Sequence, residues 1–327
     1  MRTRFLGETG VAVSKLAFGT MTFGNEALEQ ESARIYHAAR DAGINLFDCA
    51  DVYSKGRAEE ILGRLIATDR NEIVLATKAT FPMSDGANDC GASRYHIVRA
   101  CEASLRRLGT DRIDIYYLHR FDPRTSLEEA LRGLEQLVRQ GKILYPALSN
   151  FAAWQVQRAI DLQERHGWTK LACIQPMYNL LKRQVEVELL PMAQANAIGV
   201  LPYSPLAAGI LSGKYLSRES GRMSTNKNYQ VRYAHADAEN VAARFIAIAQ
   251  RIGVAPAALA LAWVAHHPGV TAPLLGARSV QQLEPLLAAA SLELSDALYA
   301  EISALTPAPA PATDRHDDGG DTDLWRR

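Results

Sequence analysis

The sequence predicts an α/β fold of the (β/α)8, or TIM, barrel type, and three observations support this. Eight short apolar runs recur, each followed by a segment with helical periodicity: Lys15–Thr20, Ile44–Ala50, Glu72–Lys78, Arg112–His119, Ile143–Asn150, Ala172–Tyr178, Gly199–Pro205 and Ala272–Ala277. Most runs are nearly continuous in Val, Ile, Leu, Ala and Tyr, which is typical of strands buried on both faces. Eight strand–helix units in one direction favour a parallel barrel over an open sheet. A doubly wound dinucleotide-binding fold should carry Gly-x-Gly-x-x-Gly after its first strand, whereas positions 19–24 read Gly-Thr-Met-Thr-Phe-Gly.

The segments between the apolar runs predict the outer helices. In Ser126–Gln140, apolar residues fall at helical spacings and charged residues occupy the other face. Gly43, Gly109 and Gly141 stand near the positions where helices should end. Glycine is common there because the residue that closes a helix often adopts a left-handed conformation.

Three segments lie outside the repeat. Arg4–Leu6 and Val11–Val13 flank a Gly/Thr-rich turn and predict an N-terminal hairpin that closes the bottom of the barrel. Residues 206–236 form a long connection rich in Gly, Ser, Asn and Tyr, and connections of this length are usually functional or mobile. We expect one domain over residues 1–306 with extra C-terminal helices, and a disordered tail over residues 307–327.

Composition and charge exclude several classes of function. The 327 residues are 48% hydrophobic, and 36 basic residues balance 36 acidic ones, so nothing indicates a basic surface for nucleic acid or anionic membrane. No apolar run approaches the roughly 20 residues of a membrane span, and no signal-peptide pattern is present. The four cysteines form no Cys-x-x-Cys pair, which disfavours a disulfide framework. We expect a cytoplasmic globular protein without nucleic-acid or membrane partners; association into a homo-oligomer stays open.

Four titratable side chains fall at the C-terminal ends of consecutive predicted strands, where barrel enzymes form their active sites. Asp48 lies near the end of the second strand with Tyr53 in the following loop, Lys78 ends the third strand, and His119 ends the fourth. Each has a structural explanation when taken alone, since a Lys can end a strand in solvent and a Tyr can pack in a loop. Their conjunction predicts a catalytic site, because an apolar strand has no structural need to finish in His.

These four residue types suit the reduction of a carbonyl by hydride. A phenol has a pKa of about 10 and is a poor acid or base at neutral pH unless it is tuned. We therefore expect the Lys78 ammonium to lower the pKa of Tyr53, the general acid, and Asp48 to hold Lys78 charged. His119 can orient a substrate oxygen. No nucleophile–base pair stands out, and His119 has no second ligand at metal spacing, so we expect neither covalent catalysis nor a metal.

Motifs around these residues extend the pattern along the chain: Asn45–Tyr53, Ala76–Lys78, Tyr117–His119, Leu148–Phe151, Gln175–Asn179, Tyr203–Leu206 and Gly276–Leu283. In order, spacing and residue identity they resemble the aldo-keto reductase family from about residue 2 to about residue 305. Within the family, the Tyr203–Lys214 segment and the long loop after it are most similar to bacterial members related to aryl-alcohol dehydrogenases and potassium-channel β subunits.

The resemblance implies that NADPH or NADP+ binds in an extended form across the top of the barrel, without a Rossmann domain. The nicotinamide end would lie against Gly19, Thr20, Met21, Asp48, Ser149, Asn150 and Gln175, with Tyr203 stacked on the ring. The pyrophosphate would contact Ser204, Pro205, Leu206, Gly209 and Lys214.

The adenosine end is expected at the turn that opens the last barrel helix, starting at Gly276. Free backbone N–H groups there suit an anion, and pairing of Arg278 with a 2′-phosphate would favour NADPH over NADH. The resemblance assigns Gln282 to the adenosine. Leu286 stands where the family usually has an Asn that hydrogen-bonds adenine, which leaves the strength of adenine recognition open.

Three functions follow from these patterns. The first is an NADPH-dependent reductase of aldehydes, ketones or sugar-like carbonyls, and the second is a binding module that senses bound NADPH. The third is an unrelated barrel such as an aldolase with Lys78 as a Schiff base, which has no support beyond the lysine. We expect the substrate pocket to be built from Met21, Phe23, Phe81, Arg120, Phe121 and the 206–236 connection.

Overall fold

The computed structural model describes residues 1–216, 221–234 and 237–313. Its strands are β1 (Thr3–Phe5), β2 (Ala12–Ser14), β3 (Ala17–Gly19), β4 (Leu46–Asp48), β5 (Val74–Ala79), β6 (Ile113–Leu118), β7 (Ile143–Ser149), β8 (Cys173–Gln175), β9 (Gly199–Val200) and β10 (Leu274–Leu275). β3 to β10 form one parallel sheet in the order β10-β3-β4-β5-β6-β7-β8-β9. Its two edges are linked by hydrogen bonds from Thr271 N to Val200 O (2.9 Å) and from Leu274 N to Pro202 O (2.8 Å). Each predicted run overlaps one strand, with β5 extending one residue beyond its run to Ala79, and the predicted (β/α)8 fold is confirmed.

The helices are α1 (Glu29–Asp41), α2 (Arg57–Ile66), α3 (Arg94–Leu108), α4 (Leu127–Arg139), α5 (Ala153–His166), α6 (Leu189–Ala195), α7 (Arg222–Thr225), α8 (Lys227–Tyr233), α9 (Ala238–Arg251), α10 (Pro256–His266), α11 (Val280–Leu287) and α12 (Asp296–Ser303). α4 matches its predicted span, and the Ser126 hydroxyl caps it by accepting from Glu129 N at 3.2 Å. Gly109 closes α3 with φ +62°, the left-handed conformation that its position predicted. α12 is the expected extra helix at the C-terminal end.

The N-terminal hairpin closes one end of the barrel, as predicted. β1 and β2 pair antiparallel, with Arg4 opposite Val13. Leu6 and Val13 are fully buried in a cluster with the apolar side chains that fill the barrel interior, such as Ile115. Gly7 follows with φ +55°, and a Cβ there would lie 2.6 Å from Ala197 O, so only glycine fits this close approach.

The long connection after β9 has its own structure. Between residues 206 and 236, the described part contains a 3₁₀ turn (Ala207–Ser212) and the short helices α7 and α8. Residues 217–220 and 235–236 of this connection lie outside the described residues, as do residues 314–327 of the predicted tail. Residues 307–313 follow α12 without a helix or strand.

No single helix in the described part of the chain is long and apolar enough to cross a membrane. One bent pair, α9 with α10, meets the length and composition test only when its two helices are taken together, and they meet at 97°.

Strand alternation places the functional side chains. Successive side chains of a strand point to opposite faces, so residues two apart share a face. Leu46, Ala76, Ala147 and Cys173 pack inside the barrel. Two residues further along the same strands stand Asp48, Lys78, Ser149 and Gln175. These four polar residues therefore form the last layer of the barrel interior, at the C-terminal ends of the strands.

Candidate active site

Lys78 is the centre of the polar layer. Its side chain is fully buried, and Nζ donates to Asp48 Oδ2 at 2.5 Å, to the Cys49 carbonyl at 2.7 Å and to the Tyr53 hydroxyl at 3.3 Å. These three acceptors match the three protons of an ammonium group. The other carboxylate oxygen of Asp48 accepts from Gln175 Nε2 at 2.9 Å. The structure therefore brings Asp48, Tyr53 and Lys78 together as the sequence predicted.

Electrostatic interactions hold Asp48 and Lys78 as an ion pair. Burial by itself favours the neutral amine of Lys78, but the negative charge of Asp48 and the hydrogen bond between the two groups raise the pKa of Lys78 above its ordinary value. Burial raises the pKa of Asp48, whereas Lys78 and Gln175 both stabilise its carboxylate. A buried charge with a well-placed partner and satisfied hydrogen bonds is retained as an ion pair.

A strained turn fixes Tyr53 beside Lys78. Ser54, Lys55 and Gly56 follow it with φ of 50°, 54° and 90°, and two of these are non-glycine residues in the left-handed region. The Ser54 hydroxyl anchors the turn by donating to Phe23 O at 2.7 Å. Backbone strain of this kind persists only where the surroundings determine the conformation, and it clusters at functional sites.

The pKa of Tyr53 differs from the sequence prediction. Burial raises the pKa of this phenol to about 12, because it outweighs the opposing effect of the Lys78 ammonium. The expected net lowering is therefore wrong for this structure, although the contact that causes the opposing effect is present. Tyr53 is protonated at neutral pH, which is the form that a proton donor needs.

His119 lies on the same rim as a neutral imidazole. Its ring packs edge-on against Phe81 with ring centres 4.7 Å apart, and against Tyr53 at 6.0 Å. Burial and the nearby Lys78 charge lower the pKa of His119 well below its ordinary value. Among the described residues, its Nδ1 has no hydrogen-bond partner. A neutral imidazole can donate one hydrogen bond to a substrate oxygen without adding a charge.

A row of amide and hydroxyl groups continues from His119 along the rim. Asn150, with φ +59°, donates from Nδ2 to the His119 carbonyl at 2.9 Å and to Ser149 Oγ at 3.1 Å. Ser149 Oγ donates to Gln175 O at 2.9 Å, and the Tyr203 hydroxyl donates to Asn150 Oδ1 at 2.7 Å. Four of the eight residues predicted at the nicotinamide end are thus joined in one hydrogen-bonded row: Ser149, Asn150, Gln175 and Tyr203.

One large cavity of about 1440 Å³ opens above these residues. Its wall includes most of the predicted site: Gly19, Met21, Asp48, Tyr53, His119, Ser149, Asn150, Gln175, Tyr203, Ser204, Pro205, Leu206, Gly209, Lys214, Gly276, Arg278 and Gln282. Lys78 lies behind the wall. Thr20 is also absent from it: this residue is fully buried, and both its N–H and its hydroxyl donate to the Asp48 carbonyl, at 2.8 and 3.0 Å.

The predicted substrate walls are only partly right. Met21 and Phe81 line the cavity, together with parts of the connection after β9. Phe23 is fully buried and packs against Phe18 with ring centres 5.7 Å apart, so it belongs to the core. Arg120 and Phe121 do not line the cavity, although Arg120 stacks on Phe81 at 5.6 Å.

The far end of the cavity contains the residues expected at the adenosine. Ser279 caps α11, so the turn with Gly276 and Arg278 opens a helix N-terminus as predicted. Arg278 is exposed on this turn, and Gln282 Oε1 accepts from its backbone N–H at 3.3 Å. Leu286 lines the same end and is buried. The position at which the sequence analysis expected an Asn side chain to hydrogen-bond adenine is therefore occupied by an apolar side chain.

Two features at the site were not predicted. Arg232 and Tyr229 on α8 were not singled out but line the cavity, and their neighbour Tyr233 is buried. The second feature is a buried polar cluster behind the site. Asp51 and Glu59 are buried, Glu59 accepts from Thr77 Oγ1 at 2.6 Å, and it pairs with Arg107 at 2.7 Å. Glu59 and Arg107 come from α2 and α3, so no local pattern joins them.

Within the described residues, no group of three or more His, Cys, Asp and Glu side chains is arranged to hold a metal ion.

Comparison with known proteins agrees with this geometry. The sequence model of the Aldo/keto reductase family matches residues 15–307. The chain belongs to this family. As an aldo/keto reductase family member, it is an oxidoreductase, and its four rim residues and cavity occupy the end of the barrel that its sequence predicted.

Relatives of this aldo/keto reductase are named as oxidoreductases and as a channel subunit. It is 37% identical to the uncharacterized oxidoreductase YrpG of Bacillus subtilis over 324 aligned residues, which cover 96% of this chain and 98% of the relative. It is 35% identical to a putative aryl-alcohol dehydrogenase of Schizosaccharomyces pombe, with 89% and 92% covered. It is also 37% identical to a probable voltage-gated potassium channel subunit beta of Arabidopsis thaliana, with 87% and 89% covered.

Proposed function

We propose that this oxidoreductase reduces an aldehyde, ketone or sugar-like carbonyl to the alcohol with NADPH, and that Tyr53 is the proton donor. The observation that carries the proposal is the contact of the Tyr53 hydroxyl with Lys78 Nζ at 3.3 Å, where Lys78 is itself paired with Asp48. Tyr53 and His119 face the same cavity, so a carbonyl oxygen can meet both.

Each residue of the set has a separate task in this reaction. Tyr53 is protonated at neutral pH and gives its proton to the carbonyl oxygen. The phenolate that remains lies beside the Lys78 ammonium, which stabilises it. Asp48 keeps the Lys78 ammonium charged and holds it beside the Tyr53 hydroxyl. His119 is neutral and donates a hydrogen bond to the same oxygen, which orients the carbonyl without competing as an acid.

The cavity also suits a nicotinamide dinucleotide. When bound, this cofactor supplies the hydride that reaches the carbonyl carbon. Asn150, Ser149 and Gln175 offer amide and hydroxyl groups for a carboxamide, and the partly exposed ring of Tyr203 offers a stacking surface. Volume supports this assignment, because about 1440 Å³ exceeds what a small carbonyl compound needs.

The remaining candidate cofactor residues suit phosphate groups. Lys214 packs over the turn that contains Gly209, where φ is +92° and a Cβ would lie 2.6 Å from Lys214 Cε. The positive φ favours glycine at position 209, and the lysine lies against the Ser204–Gly209 turn. Arg278 at the α11 N-terminus suits a 2′-phosphate, which favours NADPH. Thr20 supports Asp48 from behind and does not contact the cofactor in this proposal.

Tyr53→Phe tests the assignment. The variant should retain NADPH binding and lose nearly all turnover, by a factor of about 10²–10⁴, because general acid catalysis contributes about that much. The assay is NADPH oxidation with a panel of aldehydes and ketones, alongside fluorescence titration with NADPH. Tyr95→Phe is the matched control, since Tyr95 is exposed and lies outside the cavity wall. Undiminished turnover in Tyr53→Phe would remove Tyr53 from the mechanism.

A second function is an NADPH-binding sensor with little turnover. It is supported by the 37% identity to a protein named as a probable potassium channel subunit beta. The two functions differ in kinetics: a reductase oxidises many equivalents of NADPH per protein molecule in the presence of a carbonyl, whereas a sensor stops after about one. The cytoplasmic location and the single domain over residues 1–306 stay predictions, and association into a homo-oligomer stays open.

A further inference from the structure

We propose that Arg232 binds a carboxylate group of the substrate, so that the preferred carbonyl compounds are aldehydes or ketones carrying an acid group away from the carbonyl. The inference rests on the proposed reductase function and names the substrate class of that same site. It is carried by the position of Arg232 in the cavity wall, by the anchoring of its helix, and by the lack of an acidic partner for it among the described residues.

Arg232 lies toward the catalytic end of the cavity. It lines the same wall as Tyr53, His119 and Tyr203. Burial raises the pKa of Tyr203, and the positive charge of Arg232 acts on this phenol in the opposite direction, which places the two groups near each other. The Tyr203 hydroxyl bonds Asn150, and Asn150 bonds the His119 carbonyl. Arg232 therefore borders the same cavity as the row of polar groups that leads to the reacting oxygen.

The helix that carries Arg232 is fixed to the barrel. Tyr233, the next residue, is 2% exposed, and its hydroxyl oxygen accepts from Asn179 Nδ2 at 3.1 Å. The same Asn179 amide donates to the Ser204 carbonyl at 2.9 Å, so α8 is tied to the loops after β8 and β9. A cation on a fixed element loses less conformational freedom when it binds an anion, and its position is specific.

Within the described part of the chain, no acidic side chain pairs with Arg232. Its guanidinium stacks on the Tyr229 ring at 4.9 Å from the ring centre, and no carboxylate among the described residues lies within 4.0 Å of it. By contrast, the partly buried Arg107 and Arg183 pair with Glu59 at 2.7 Å and Glu186 at 2.8 Å. The planar guanidinium binds carboxylates in a two-pronged geometry, and stacking on an aromatic ring fixes its plane. The arrangement is that of a carboxylate receptor.

The other cations of the cavity already have assignments. Lys214 packs against the Ser204–Gly209 turn, and Arg278 stands on the turn that opens α11. Both suit phosphates of the dinucleotide, which leaves Arg232 for the substrate. The competing explanation is that Arg232 also contacts the dinucleotide, and the experiment below separates the two.

The test compares acids with uncharged amides of nearly the same size. The probes are 3- and 4-carboxybenzaldehyde, each against the corresponding carbamoylbenzaldehyde, with NADPH oxidation followed for wild type, Arg232→Gln and Arg244→Gln. Arg244 is an exposed residue of α9 outside the cavity wall, so its variant makes the same charge change elsewhere.

In wild type, kcat/KM for at least one acid should exceed that for its amide. In Arg232→Gln this acid-to-amide ratio should fall by about tenfold to hundredfold, mainly through KM, because a charge-assisted hydrogen bond is lost. Arg244→Gln should keep the wild-type ratio.

Two further measurements separate the possible failures. An unchanged ratio in Arg232→Gln overturns the inference, and an unchanged ratio with weaker NADPH binding assigns Arg232 to the dinucleotide instead. If wild type turns over neither member of any pair, the proposed function fails. Binding at the carboxylate site is then measured by calorimetric titration of wild type and Arg232→Gln with 4-(hydroxymethyl)benzoate in the presence of NADP+. Binding that Arg232→Gln abolishes supports the site, and equal binding by both proteins overturns it.

Discussion

Asp51→Asn should stabilise the protein at neutral and alkaline pH, by an amount that decreases as the pH falls toward 3.8. Asp51 is 1% exposed, and neither carboxylate oxygen has a hydrogen-bond partner among the described residues. Burial, together with the negative charge of Glu59, raises the pKa of Asp51 from 3.8 to about 7. Ionisation of Asp51 therefore destabilises the folded protein relative to the unfolded chain.

The magnitude follows from the two pKa values. An acid that binds its proton more tightly in the folded state contributes stability that is fully present below pH 3.8 and is lost as pH rises through about 7. A difference of about three pKa units corresponds to about 4 kcal/mol in total, at about 1.4 kcal/mol per unit. Part of that change falls below pH 5, so between pH 5 and pH 8 the free energy of unfolding should fall by about 2–3 kcal/mol more in wild type than in Asp51→Asn.

The assay is urea denaturation of both proteins at half-unit steps from pH 5 to pH 8. Asp41→Asn, at the exposed end of α1, is the matched control and should follow the wild-type pH profile. Parallel profiles for wild type and Asp51→Asn would refute the reasoning, because they would mean that Asp51 has the same affinity for its proton in the folded and unfolded states.

Two further predictions concern the site. Lys78→Met should lower the free energy of unfolding by about 3–5 kcal/mol, since it leaves Asp48 buried without its counter-charge. The double variant Asp48→Asn/Lys78→Met should recover most of that stability in denaturation experiments but no turnover; additive losses would show that the two residues do not interact. Arg278→Ala should weaken NADPH binding by about tenfold and leave NADH binding unchanged in fluorescence titrations, because only NADPH carries the 2′-phosphate. An equal loss for both cofactors would instead place Arg278 at a shared group.

The barrel and its catalytic residues were predictable because their signals are local. A strand buried on both faces is nearly continuously apolar wherever it lies in the barrel, so a run such as Ile113–Leu118, with Asp114 as its one charged residue, can be recognised in the sequence. A polar residue at the end of such a run stands out against it. Since parallel strands share one C-terminal rim, Lys78 and His119 could be placed together before any contact was known.

The electrostatic state of the site was not predictable in the same way. The sequence analysis paired Tyr53 with Lys78 correctly but expected a lowered phenol pKa. The structure raises that pKa to about 12, because the degree of burial outweighs a single neighbouring charge. Burial depends on everything packed around the ring, including His119 from another strand. The assignment of Phe23 to the pocket failed for the same reason, since it packs into the core.

The sequence by itself determined the order of the strands and helices, the family, and the identity of Asp48, Tyr53, Lys78 and His119, because each is encoded by neighbouring residues. Only the tertiary structure decided which residues share the cavity wall and which lie behind it. Arg232 lies 179 positions after Tyr53, and the two line one cavity in the folded chain, where Asn179 hydrogen-bonds the buried Tyr233 of α8. Likewise, Glu59 and Arg107 form an ion pair because α2 packs beside α3. Which distant residues meet depends on how the helices and strands pack together. No local pattern in the chain specifies these pairings.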